Sequence, residues 1–174
     1  MNDKRLGCLS VICAVLVFAS GCFPGRGDHV LDTWEASNGT LKVRIRKFDE
    51  KHNILQHNYF AFEAAAAGSD QWREILTWRA DEGFPIRHDW VQIVSPQVVC
   101  AFALAKYAVT TDAGHTWSEW DAAKMVPNLP SPLQTWIKEA HVSADGSGTM
   151  LLSSSPALFQ LNTTDYGVHW APVK

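Results

Sequence analysis

The chain has 174 residues, 15 of them basic and 18 acidic, for a formal net charge of −3, so it has none of the basic surplus that gathers nucleic acid. Hydrophobic residues make up 47% and charged residues 19%, which supplies a packed core and excludes a disordered chain. All eight tryptophans lie at or beyond Trp34.

The first 21 residues read as an export segment that is removed. Asp3, Lys4 and Arg5 give a charged start, residues 6–19 form an apolar run, and Ser20-Gly21-Cys22 is followed by Phe23-Pro24-Gly25. The run is about 14 residues, short of the ~20 that a helix needs to cross the hydrocarbon core. An ordinary secretory signal would account for this much. Phe18-Ala19-Ser20-Gly21-Cys22 further resembles the lipobox of bacterial lipoproteins. That resemblance implies cleavage before Cys22, a diacylglycerol on its thiol and an acyl chain on the new amine. A single chain holds a protein marginally at about 0.8 kcal/mol per buried methylene, whereas three hold it essentially permanently.

The expected organisation is a signal over 1–21, a short tether over 22–29 and one all-β domain over 30–174. Loss of Lys4, Arg5 and Asp3 with the signal moves the net charge to about −4. Localisation follows as the cell envelope, lipid-anchored to a bacterial membrane and facing the periplasm. Phe23 stands where an inner-membrane retention aspartate would follow the cysteine, which inclines the reading to the outer membrane. Cys8 and Cys13 leave with the signal, so Cys100 has no disulfide partner in the mature chain. Within Val98-Val99-Cys100-Ala101-Phe102 it is expected as a small buried hydrophobe.

Strand signals dominate from residue 30 onward. Residues 40–48 alternate with a period of two, with Leu41, Val43 and Ile45 on one face and Lys42, Arg44 and Arg46 on the other. Residues 58–63 and 74–78 are two further strands, and 64–67 reads equally as more strand or as a helical turn. From Trp90 the chain repeats itself. Strands over 91–95, 98–103, 107–110 and 116–120 are followed by strands over 139–143, 149–153, 158–163 and 169–173. The Pro-rich connection 126–133, with Pro127, Pro130 and Pro132, is expected as a surface loop.

Thr110-Thr111-Asp112-Ala113-Gly114-His115-Thr116-Trp117 recurs as Thr163-Thr164-Asp165-Tyr166-Gly167-Val168-His169-Trp170. An aspartate can accept from the amides of its own turn, a glycine supplies a positive φ, and the tryptophan packs inward as the next strand begins. The pattern resembles the Asp-box of sialidases and other β-propeller proteins. Thr110, Asp112, Gly114, Thr116 and Trp117 match it fully, and Thr163, Asp165, Gly167 and Trp170 match it with His169 in the threonine's place. In that family the element is structural, so Asp112 and Asp165 are expected to brace turns. Gly68-Ser69-Asp70-Gln71-Trp72 is at most a remnant. The expected fold is all-β, with two or three propeller-like antiparallel sheets carrying Asp-box hairpins, and a β-sandwich-like arrangement as the alternative.

A sialidase-like glycosidase would need an arginine cluster, a tyrosine–glutamate pair and an acid–base aspartate. The chain offers Arg44, Arg46, Arg73, Arg79 and Arg87 with Tyr59, Tyr107 and Tyr166. Its Phe84-Pro85-Ile86-Arg87 has the family's Phe/Tyr-Arg-Ile-Pro residue types in another order. Gly-x-Ser-x-Gly and His-Glu-x-x-His are both absent from the sequence, His88-Asp89 is too common a pair to mark a triad, and His52 and His57 would face opposite ways on a strand. The reading is therefore not an enzyme, with no catalytic residue, metal or cofactor expected.

Binding fits better: a membrane-tethered, tryptophan-rich domain suits a protein partner, with a glycan as the other ligand class. Trp34, Trp72, Trp78, Trp120 and Trp136 are the candidate contacts. The basic face of residues 42–47 would meet phospholipid headgroups or an acidic partner, or simply be solvated. Small envelope lipoproteins of this organisation include immunity proteins against secreted toxins, and Asp-box propellers also serve as assembly factors for membrane complexes.

Overall fold

The computed structural model describes residues 29–49, 57–81 and 84–173. The export segment, Cys22 and the tether up to residue 28, and His52, lie outside these residues.

The described chain forms three four-stranded antiparallel sheets, each a meander in sequence order. The first contains β1 (His29–Ser37), β2 (Leu41–Asp49), β3 (His57–Ala66) and β4 (Arg73–Asp81). The second contains β5 (Val91–Ile93), β6 (Val99–Ala103), β7 (Lys106–Thr110) and β8 (Ser118–Asp121). The third contains β9 (Thr135–Val142), β10 (Gly148–Ser154), β11 (Ala157–Thr163) and β12 (Ala171–Pro172). This is the strand order of a propeller blade repeated three times, which makes the fold all-β with three propeller-like sheets. The 64–67 run resolves as strand up to Ala66, because Ala64, Ala65 and Ala66 pair with Val43, Lys42 and Leu41.

Burial follows sheet position. In β2 the residues Leu41, Val43 and Ile45 are buried, and β6 is buried along its whole length because neighbouring sheets cover both of its faces. The middle sheet is thus the core layer. Phe60, Trp78 and Trp90 join it to the first sheet, with the Phe60 and Trp78 rings stacked at 5.3 Å and Trp90 edge-on to both. Backbone polar groups close the same junction: the Asn38 side-chain amide in the β1–β2 turn donates to the carbonyls of Ser95 and Pro96 at 3.1 and 3.2 Å. Asn38 Oδ1 accepts from the amides of Thr40 and Leu41 at 3.1 and 2.9 Å.

The two arginines on the outer face of β2 share one carboxylate. Glu63, directly across from Arg44 in the register, is buried, and its Oε2 accepts from Nε of Arg44 at 2.5 Å and from Nε of Arg46 at 2.7 Å. Arg46 also pairs with Oε1 through Nη2. The Arg44 guanidinium lies 3.9 Å over the Trp72 ring and that of Arg46 lies 4.6 Å over Phe48.

The Pro-rich connection is a surface loop only in part. Pro127, Pro130 and Pro132 are exposed, but Val126 and Leu129, which follow the one-turn helix α1 (Ala122–Met125), are buried in the core. The Asp121 carboxylate caps that turn by accepting from the Ala123 amide at 3.0 Å.

Glu63→Ala should cost about 3 kcal/mol in urea-unfolding free energy, because two partly buried guanidinium groups lose their shared counter-charge. A loss within about 0.5 kcal/mol, the range of ordinary surface changes, would show that the pairing is idle.

Candidate functional site

The two repeated turns form the same network twice. Thr110 Oγ1 donates to Asp112 Oδ1 at 2.8 Å and accepts from the Gly114 amide at 2.8 Å. Thr163 Oγ1 donates to Asp165 Oδ1 at 2.7 Å and accepts from the Gly167 amide at 3.0 Å. Each carboxylate then takes the amide four residues on: Thr116 to Asp112 Oδ1 at 2.9 Å, and His169 to Asp165 Oδ1 at 3.0 Å. Its second oxygen takes the side chain of that same residue. Thr116 Oγ1 donates to Asp112 Oδ2 at 2.6 Å, and His169 Nδ1 lies 2.6 Å from Asp165 Oδ2. The imidazole therefore fills the position of the missing hydroxyl.

Backbone shape explains the residue types. Ala113 and Gly114 have φ of 57° and 87°, and Tyr166 and Gly167 have 62° and 85°, so both turns pass through two consecutive left-handed residues. Gly167 is further constrained, since a Cβ there would meet the Tyr107 hydroxyl at 2.3 Å. Each turn also docks on the preceding hairpin of its own sheet, the Ala113 amide donating to the Gln97 carbonyl at 2.9 Å and the Tyr166 amide to that of Gly146 at 2.8 Å.

The tryptophans that end the turns join one sheet to the one before. Trp117 packs edge-on to Phe62 of β3 at 5.5 Å, and Trp170 packs edge-on to Tyr107 of β7 at 5.4 Å. In both cases the partner ring stands on the third strand of the preceding sheet. The Tyr107 hydroxyl donates to the Tyr166 carbonyl at 3.3 Å and the Cys100 thiol approaches the same oxygen at 3.8 Å, so the middle sheet also holds the second turn through polar contacts.

These contacts set the electrostatics. The Thr116 hydroxyl and amide hold the Asp112 carboxyl down at about 2. Partial burial pushes Asp165 up, but hydrogen bonds from the His169 amide and ring and from the Thr163 hydroxyl outweigh it and keep the group below its usual value. Burial raises the Cys100 thiol to about 11, against a small lowering by Tyr107. Burial likewise lifts the Tyr107 phenol far above its usual value. A thiol and a phenol so protonated are poor nucleophiles.

The five candidate tryptophans separate. Trp78 and Trp120 are buried, Trp72 lies under Arg44, and Trp34 is partly buried and stacked on His88 at 5.5 Å. Trp136 stands exposed near the start of β9. In the remnant turn the Asp70 side chain is fully exposed and pairs with Lys42 at 3.3 Å, while Ser69 Oγ accepts the Gln71 amide at 3.0 Å.

The described surface carries several open depressions, of which two bear on ligand binding. One, of about 550 Å³, is lined by Asp89, Phe102, Glu139, His141, Thr149 and Gln160 along the third sheet. The other, of about 360 Å³, is mainly apolar and lies where Phe84, Trp90, Leu104, Leu133 and Trp136 converge. Sequence reasoning passed over the second, although Leu133 among prolines and Phe84 before Pro85 are apolar residues in segments with no strand pattern to bury them. Among the described residues there is no group of three or more His, Cys, Asp or Glu side chains placed to hold a metal ion. No family model matches the chain, and the searches of curated proteins and of solved structures return no significant match.

Asp112→Ala should lower stability by about 1 kcal/mol, at the low end for a lost charged acceptor because water reaches this half-exposed carboxylate. Since the folded-state value lies near 2 against 3.8 for a free aspartate, the contribution is complete above 3.8 and disappears as pH falls from there through about 2. Urea midpoints of the parent and of Asp112→Asn should therefore stay separated at neutral pH and converge over that window. A gap that is constant down to pH 2 would contradict the assignment.

Proposed function

We propose that this chain is a lipid-anchored cell-envelope protein that binds another protein and carries out no bond-breaking reaction of its own. The observation that carries the reading is that the reactive-looking groups of the repeats are committed to architecture. Asp112 and Asp165 each accept a backbone amide and two side-chain donors, and Cys100 and Tyr107 are buried against the Tyr166 carbonyl. Arg44 and Arg46 share Glu63, and Arg87 pairs with Asp89, so these three arginines do not form the open cluster that a sialidase-like site would turn toward a substrate carboxylate.

The anchor rests on the lipobox-like Phe18-Ala19-Ser20-Gly21-Cys22 sequence. Tethering to a membrane confines the domain to a thin layer and raises its effective concentration toward any envelope partner, so a modest contact surface suffices. The 550 Å³ depression, with Glu139, His141, Thr149 and Gln160 as donors and acceptors around Phe102, has the mixed lining that suits a polypeptide segment.

Cys22→Ser in the full chain should shift the protein from the membrane fraction to the soluble periplasmic fraction, and affinity capture of the membrane-bound parent after cross-linking should yield one stoichiometric protein. Unchanged membrane fractionation would overturn the anchor. Hydrolysis of glycan substrates by the purified protein, abolished by changes in the 550 Å³ depression, would overturn the binding role.

A further inference from the structure

The two ends of the domain differ in kind. The β1–β2 turn, the β5–β6 turn and the repeated turns lie at the end where Asn38 meets Ser95 and Pro96. At the opposite end the apolar side chains are left open. Val30 and Leu31 begin β1, Phe84 follows β4, Leu104 turns β6 into β7, and Leu133 and Trp136 lead into β9, all of them exposed. Met125 after β8 and Leu158 at the start of β11 belong to the same end, which thus holds eight of the nine large hydrophobic side chains exposed among the described residues. The three sheets meet there: Phe84, Leu104, Leu133 and Trp136 line one groove of about 360 Å³, and the Ile137 amide donates to the Leu104 carbonyl at 2.6 Å.

This is also the end at which the chain enters. His29 pairs with Asp49 at the edge of the first sheet farthest from the Asn38 turn. From Cys22 to His29 there are about seven residues, which span ~25 Å at full extension.

We propose that this apolar end is the membrane-docking face of the domain, lying in the headgroup layer of the phospholipid bilayer that holds the Cys22 lipids. The inference rests on the lipoprotein reading above. The reach of the tether places the apolar end, and not the repeated turns, next to the bilayer. The groove that Phe84, Leu104, Leu133 and Trp136 share, held there, buries its apolar surface in the interface, where a tryptophan such as Trp136 settles readily. The repeated turns and the far ends of the sheets then point into the periplasm.

The test uses the full chain, purified from membranes and reconstituted into phosphatidylethanolamine–phosphatidylglycerol vesicles containing a headgroup-labelled nitroxide lipid. An environment-sensitive thiol dye is placed at Leu133→Cys or, at the opposite end, at His115→Cys; both native side chains are exposed, and Cys100 is buried with its thiol raised to about 11. The expected result is a blue shift and loss of emission at position 133 with neither change at 115. Unquenched emission at 133, or equal quenching at both positions, overturns the docking face, and protection of 133 only when a co-purified protein is present assigns the patch to a protein partner instead. The mass of the membrane-purified parent reads the Cys22 lipids separately. If the lipid mass is present while 133 stays unquenched, the anchor stands and the face falls; if it is absent, the anchor falls and the quenching pattern still decides the face.

Discussion

The structure depends on one junction, made twice: a tryptophan at the end of an Asp-x-Gly turn packs edge-on to an aromatic ring on the third strand of the preceding sheet. Trp117 on Phe62 joins the second sheet to the first, and Trp170 on Tyr107 joins the third to the second. Left apart, each meander would open to water the apolar face that it now buries against its neighbour. Stacking covers those faces, so what fixes the tryptophan helps to fix the stack. The turn does this by passing through two left-handed residues and closing on a carboxylate, which sets where the strand that follows it begins. The indole N–H groups of Trp117 and Trp170 are buried without a partner, so the rings contribute by shape and area.

Such a device ties both aspartates to the turn that each of them closes. A carboxylate that accepts a backbone amide, a hydroxyl and one more side-chain donor has both oxygens engaged, and its lowered proton affinity reflects those donors. His169 makes the same point from the other side. Where the first turn uses a threonine hydroxyl, the second uses an imidazole at the same distance, so what the turn requires is a donor of the right reach and not a particular residue.

Much of the fold was legible because local rules and global pairing agree. The period of two in residues 41–46 is the burial pattern of β2, and the recurrence of the turn sequence located the second and third sheets strand by strand. What escaped notice depends on distant contacts. Nothing near Glu63 announces that it will lie opposite Arg44 and hold two guanidinium groups; that follows only from the β2–β3 register. The burial of Val126 and Leu129 in a Pro-rich segment, and of Trp78 and Trp120 among the candidate contacts, also depends on which elements arrive beside them. The asymmetry between a polar, turn-bearing end and an apolar end is a property of the assembled sheets, since its members are scattered from Val30 to Leu158.

The most direct test of the account is a double-mutant cycle between Asp165→Ala and Trp170→Leu, read by urea unfolding. If the carboxylate matters because it positions the indole on Tyr107, the two losses overlap and the coupling is about 1 kcal/mol or more. Additive losses, with coupling below about 0.3 kcal/mol, would mean that turn and tryptophan act independently and that the sheets are joined by something else.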